Sequence, residues 1–342
     1  MNRRDFIKAS ACVGTLATAG CPAAGAVAGA RKEEEGAPAA GKDLGKARIL
    51  PPGRYDAHIH LYQDTQVSPP KPERFAARLA EAGIAGGCVF SREQFPSPRL
   101  SLTTRMTPEQ IVDNVIEWCS GSPTIYPFYW IDPSRPDAPE LVDMAVEKGI
   151  CGFKVIRNNG YPCDGYALET YRRIAHYAKP LTFHSGILYD GQPSSEYFRP
   201  VAFEPMLRVP RIRFCLAHIS WPWCDECLAV FGKMRDSGWR LRGANEKASY
   251  PDVPKMFIDT TPGPKLIWRR EAMMRIYQTQ FRKPIYDRLM FGSDLDVHNY
   301  SADYCRKFLD FDSALFKEWG ISQKEVDSYF RTALQNFLFG EE

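Results

Sequence analysis

The chain has 342 residues, with 44 lysines and arginines against 41 aspartates and glutamates, for a formal charge of +3. Residues 1–46 carry seven of the basic and five of the acidic residues, which leaves +1 for the remainder and no electrostatic footprint for nucleic acid. Past residue 50 the chain is long enough for one large core, and with no second linker in it a single domain is the simpler organisation.

Arg3 and Arg4, within the run Asn2 to Lys8, are identified as a twin-arginine export signal occupying residues 1–30. The Ala-, Gly- and Thr-rich run behind them is too short and too weakly apolar for a membrane span. Two processing routes are open: cleavage after Ala28, Gly29 and Ala30, or lipidation of Cys21 behind Thr18, Ala19 and Gly20. Residues 31–50 are polar and low in complexity and read as a flexible tether. The protein is therefore expected to be exported, either periplasmic or lipid-anchored through Cys21 to the outer face of a membrane. Because this route carries folded proteins, a metal can be loaded before export.

From residue 51 onward apolar runs alternate with amphipathic stretches. Strand-like runs fall at 54–60, 85–91, 123–131, 149–156, 180–184, 211–218, 255–260 and 288–294. Helical periodicity falls between and after them at 72–82, 107–119, 137–147, 166–178, 200–208, 223–236, 266–281 and 301–318, with a last helix at 322–339. Eight strand–helix units predict an α/β fold, a (β/α)8 TIM barrel in one domain over 51–342 with an extra C-terminal helix. A doubly wound open sheet fits less well, since no Gly-x-Gly-x-x-Gly follows the first strand.

The first strand closes on Asp56, Ala57, His58, Ile59 and His60. Residues two apart on a strand share a face, so His58 and His60 can grip one ion, and imidazole suits zinc and its transition-metal neighbours. Two ordinary histidines are the plainer alternative. Among the six histidines of the chain, His184 and His218 each close another apolar run, Asp294 ends a similar one, and Lys154 lies within a fourth. Ligand-type residues at the ends of successive strands are what a barrel active site requires, because those ends converge.

These segments, together with Phe153-Lys154, His184-Ser185-Gly186, the run from Ala217 to Glu226, Gly292-Ser293-Asp294 and the terminal Asn336 to Gly340, resemble the amidohydrolase superfamily. Within it, the chain is similar to the amidohydrolase-related branch of hydrolases, decarboxylases and hydratases, from Tyr55 to Gly340. The resemblance assigns His58, His60, His184 and Asp294 to metal positions and His218 to general acid/base work, with Asp294 a second proton acceptor. It implies one divalent ion per chain, zinc, or two if Lys154 is carboxylated and bridges them. Lys154 otherwise contacts a substrate carboxylate with help from Arg157, or is a plain interior lysine. An ion lowers the pKa of its water, and a histidine beside it moves protons at working pH. One departure stands out: where relatives often have Gly-Gly after the third histidine, this chain has Ile219-Ser220, a bulkier pair expected to narrow the pocket or alter the loop.

Arg92, Arg157, Trp130, Trp221, Trp223 and His298 lie near strand ends and are candidates for binding a small cyclic or aromatic substrate; Tyr126 and Tyr129 join them on the same ground. The leading expectation is a hydrolase that attacks an amide, lactone or related ester bond with a metal-activated water. A non-oxidative decarboxylase or hydratase on the same scaffold would need Lys154, Arg157 or Arg92 around a carboxylate. A non-catalytic binding barrel would leave the ligand set and a spare acid/base without a purpose. Of the ten cysteines, Cys12 and Cys21 belong to the leader and Cys88, Cys151 and Cys215 to core strands, which argues against a disulfide framework. Cys224 and Cys227 open a helix whose dipole could lower the first thiol's pKa, but ordinary helix packing is the plainer reading of the pair. Assembly with further copies of the chain is left open.

Overall fold

The computed structural model describes residues 41–62, 69–92, 106–244, 253–262, 266–279 and 285–341. The expected export signal, Cys12, Cys21 and the expected cleavage site after Ala30 lie outside the described residues. Among the described residues no helix is long and apolar enough to cross a membrane. The last part of the expected tether, residues 41–50, is held against the domain. The Lys42 N–H donates to the Glu147 carbonyl at 3.0 Å and that of Ala47 to Pro123 at 2.8 Å. Leu50 is buried, its N–H bonded to Gln335 Oε1 at 2.9 Å.

Parallel strands and helices then alternate. The strands are β1 (Arg54–His60), β2 (Ile84–Phe90), β3 (Ile125–Trp130), β4 (Gly152–Val155), β5 (Pro180–Phe183), β6 (Arg213–Leu216), β7 (Lys255–Asp259), β8 (Leu289–Met290) and β9 (Leu295–Asp296). Each pairs in parallel with its sequence neighbour from β1 to β8. The expected eighth strand, 288–294, is instead split. Its start, β8, pairs with β7, and β9 pairs with β1, so the run from Leu289 to Asp296 closes the ring between them. Between the halves, the Phe291 carbonyl accepts from the Ala57 N–H at 2.9 Å, and the Asp294 N–H donates to the His58 carbonyl at 2.9 Å. The barrel expected from the sequence is the fold observed.

The helices α1 (Pro72–Glu81), α2 (Pro108–Trp118), α3 (Ala138–Glu147), α4 (Ala167–His176), α5 (Cys224–Ala244), α6 (Leu266–Gln278) and α7 (Ala302–Glu318) wrap the ring. Their starts are set by local chemistry. α2 opens on a reciprocal capping box between Thr107 and Gln110 with a proline in its first turn, and buries Ile111, Val112 and Val115 on one face. α8 (Gln323–Asp327) opens on a second box, Ser322 with Glu325, and runs through a π-helical turn at Ser328–Thr332 into α9 (Ala333–Phe339). The stretch 200–208 is 3₁₀ and not α-helical, because Pro205 inside it has no N–H to donate and crowds the preceding turn.

Side-chain alternation divides the strands between two apolar layers. Phe153, Leu181, Phe214 and Ile258 pack outward under the helices, while Cys88, Phe90, Phe128, Cys215, Phe257 and Met290 fill the barrel interior above Leu334, Phe337 and Leu338 of α9. The even positions of β4 and the odd ones of β7 therefore put Lys154 and Asp259 inside. In β1 the alternation is broken. Tyr55 and Ala57 belong to the interior, yet Ile59 packs under the helices, and the register shifts between Asp56 and Ile59. That bulge is what turns both His58 and His60 into the barrel.

Candidate metal centre

His58 and His60 reach the carboxyl end of β1 with their Nε2 atoms 3.0 Å apart. Asp294 Oδ1 lies 3.2 Å from Nε2 of His60 and 3.4 Å from Nε2 of His58. One ligand atom from each of the three falls within 4.8 Å of the others. Asp294 has φ +60°, a left-handed conformation that Asp tolerates better than most residues, and its side chain is 37 % exposed at the mouth. His58 is fixed from behind. Its Nδ1–H donates to Asp259 Oδ2 at 2.9 Å, which leaves the Nε2 lone pair facing His60 and Asp294. Lys154, fully buried, brings Nζ to 3.4 Å from the same Nε2 and lies over the Phe90 ring.

The second half of the cluster is a histidine pair. His184 Nδ1 and His218 Nε2 are 3.1 Å apart, and the His58 and His218 rings are centred 5.1 Å from each other. Among the described residues the buried Nε2 of His184 has no hydrogen-bond partner. His218 Nδ1 meets Thr261 Oγ1 at 2.8 Å, and the His218 N–H donates to Asp259 Oδ1 at 2.9 Å. Asp259 and Thr261 thus orient one histidine on each side of the site. The sequence reading missed both, although Phe257, Ile258 and Asp259 form the same apolar run ending in a polar residue that singled out His184 and His218.

The electrostatics suit cation ligation. Burial, reinforced by the Lys154 charge, pushes His58 down to about 3. Burial also lowers His184 and His218, so these rings are neutral near neutral pH and their lone pairs are free to bind. Burial lowers Lys154 to about 8, against the opposing pull of Asp259 and Asp294. For Asp294, partly exposed as a side chain, desolvation of the carboxyl by the groups crowded around it works against ionisation, but the His60 hydrogen bond and the neighbouring imidazoles outweigh it and hold the carboxyl well below the usual carboxylate range. Two converging imidazole nitrogens and a carboxylate oxygen form a donor set that fits zinc and similar divalent ions, whereas His184, the fourth expected ligand, stands outside that trio and meets it through His218.

A family model described as Amidohydrolase matches residues 55–333. The chain belongs to the amidohydrolase family. As a member, the protein is a metal-dependent hydrolase acting on small molecules. Its barrel is similar to dihydroorotase from Campylobacter jejuni, with 13% identity and a TM-score of 0.51 over 82% of this chain and 81% of that one. It is also similar to amidohydrolase 2 from Bifidobacterium longum subsp. infantis, with 13% identity and a TM-score of 0.48 over 84% and 99%. At that identity the likeness is one of fold. No curated protein matches the chain.

In this amidohydrolase the remaining candidates have different surroundings. Trp130, at the end of β3, is buried with its ring 6.0 Å from that of His60 and its Nε1 without a partner among the described residues. Arg92 is buried just past β2. Arg157 Nη1 donates to the carbonyls of Tyr161 and Asp164 in its own loop, at 2.7 and 3.1 Å. Trp221 stacks on Trp268 at 5.7 Å and lines an outer groove with Pro222, Glu271 and Arg275. Trp223 lies under the Arg199 guanidinium, and His298 bonds Asp296 Oδ1 through Nδ1 and meets the Trp118 ring edge-on. The Tyr126 hydroxyl donates to Ala47, away from the site, and Tyr129 packs under the helices.

Ile219 does not narrow the pocket: it is fully buried in the layer beneath the helices. His218, Ile219 and Ser220 all have positive φ, +62°, +51° and +53°. Glycine adopts that geometry most readily, and here a β-branched residue holds it at a cost in strain. Cys224 and Cys227 are buried free thiols, and burial raises them to about 11 and about 12, away from thiolate reactivity.

Proposed function

We propose that this amidohydrolase cleaves an amide, lactone or related ester bond of a small cyclic or aromatic substrate, using one zinc ion held by His58, His60, His184 and Asp294. The observation that carries the reading is the convergence of the His58 and His60 Nε2 atoms on Asp294, with Asp259 holding the His58 proton on the far nitrogen. An ion bound there would supply Lewis acidity and a more acidic water. The protein's own groups divide the remaining work. His218, neutral and oriented by Thr261, accepts and returns a proton beside the reacting carbon. Asp294, ionised at the mouth, is the second acceptor. Trp130 beside His60, and Tyr62 stacked on the His60 ring at 4.7 Å, offer flat apolar faces suited to a ring-shaped substrate.

Lys154 supports a second ion only if it is carboxylated; as an ammonium it adds positive charge beside His58. The lyase alternative asks for several cations around a substrate carboxylate, whereas Arg157 turns its Nη1 to two carbonyls of its own loop. Export by the twin-arginine route, with or without a lipid on Cys21, rests on Arg3 and Arg4. The test of the centre is metal content. Purified protein should hold about one zinc per chain, and His58→Ala combined with His60→Ala should remove it. Full occupancy in the double variant refutes the assignment, while a screen of lactones, amides and aromatic acids identifies the bond cleaved.

A further inference from the structure

Thr260 lies between the two residues that orient the histidines. Asp259 and Thr261 turn inward to His58 and His218, so Thr260 leaves on the opposite face of the chain. There it enters a fully buried polar cluster. Arg269 of α6 donates to the Thr260 carbonyl through Nη1 at 2.5 Å and to its Oγ1 through Nη2 at 3.1 Å. The same guanidinium grips Asp312 of α7 with two parallel bonds of 2.7 and 2.6 Å. The Tyr329 hydroxyl, presented by the π-helical turn, donates to Asp312 Oδ2 at 2.7 Å and lies 2.5 Å from Thr260 Oγ1. The Tyr329 carbonyl accepts from the Phe291 N–H at 3.3 Å, at the start of the segment that carries Asp294.

A buried ion pair is weak evidence of stabilisation, because desolvation of both charges offsets most of their attraction and an apolar replacement often serves the fold as well. Its placement is more informative. Each of its bonds to the segment just past β7 ends on Thr260, flanked by the two side chains that aim the histidines. We propose that Arg269, Asp312 and Tyr329 form a positioning device for the metal centre, fixing the Thr260 backbone so that Asp259 holds the His58 tautomer and Thr261 holds the His218 ring. The proposal rests on the reading of the histidine cluster as a zinc site. Groups behind metal ligands commonly change metal affinity by 10–100-fold when removed, and this cluster acts one step further back.

The test uses the full-length protein with three variants: Arg269→Met, Asp312→Asn and Tyr329→Phe. Tyr329→Phe deletes only the hydroxyl and keeps the ring packing, so it reports even if the charge variants fail to fold. Two quantities are read beside the thermal midpoint: the zinc dissociation constant by competition with a chromophoric chelator, and the histidine ring-nitrogen NMR spectrum of the metal-free protein. Zinc binding should weaken by about 10-fold in Tyr329→Phe and more in Arg269→Met, and the His58 signal should change from one Nδ1-protonated form to a mixture of tautomers. Unchanged zinc affinity and an unchanged histidine spectrum in Tyr329→Phe, whatever happens to the thermal midpoint, overturn the proposal. Zinc binding that survives His58→Ala with His60→Ala refutes the metal site instead, and the metal-free spectrum still judges the positioning role.

Discussion

Replacing Asp259 by asparagine isolates one bond behind the metal centre. Asp259 Oδ1 receives three donors: the His218 N–H at 2.9 Å, the Thr261 N–H at 3.1 Å and the Thr261 hydroxyl at 2.5 Å. Oδ2 receives the His58 Nδ1–H at 2.9 Å. In Asp259→Asn the amide oxygen stays with the three donors, which directs the NH₂ at His58 Nδ1 and sets donor against donor. His58 escapes by moving its proton to Nε2, the nitrogen needed for the ion. A hydrogen bond to a charged group contributes about 1.5–3 kcal/mol, and at about 1.36 kcal/mol per tenfold the zinc affinity should fall by about 10- to 150-fold. The assay is chelator competition at neutral pH on variant and parent, with circular dichroism confirming the fold, which the retained Oδ1 contacts should preserve. A zinc dissociation constant within about twofold of the parent's would refute the idea that Asp259 sets the tautomer.

Three further outcomes follow from the same geometry. His218→Asn should keep the zinc and lower turnover by about 10²–10⁴-fold if His218 transfers the proton; activity within several-fold of the parent, measured on a substrate found by screening, counts against that role. Ile219→Gly and Ile219→Ala should both destabilise the fold through lost packing, but the glycine variant should be the more stable of the two by about 1 kcal/mol in urea unfolding, the reverse of the usual order, because alanine keeps the left-handed strain that glycine relieves. Arg3→Lys with Arg4→Lys should leave uncleaved precursor in the cytoplasm, since the export receptor reads the guanidinium pair and not charge alone; unimpaired export in a fractionation blot would mean that another route carries the protein.

What the sequence determined is what depends on neighbours along the chain. Apolar runs of strand length alternating with amphipathic stretches were enough for the ring of strands and its jacket of helices, because both periodicities are local. The same runs ending in His60, His184, His218 and Asp294 marked the face where the strand ends converge. The tertiary structure decided what depends on distant partners. The bulge in β1 that turns His58 inward and the split of the last strand arise from closing the barrel, which no local pattern records. Asp259 becomes the orienter of His58 across 201 residues of sequence. Arg157, Trp221 and His298 carry side chains suited to a pocket, yet each has close partners elsewhere, in its own loop, on Trp268 and on Trp118. A side chain at a strand end has several directions open to it, and the choice is settled by whichever packing or hydrogen bond the completed barrel brings within reach.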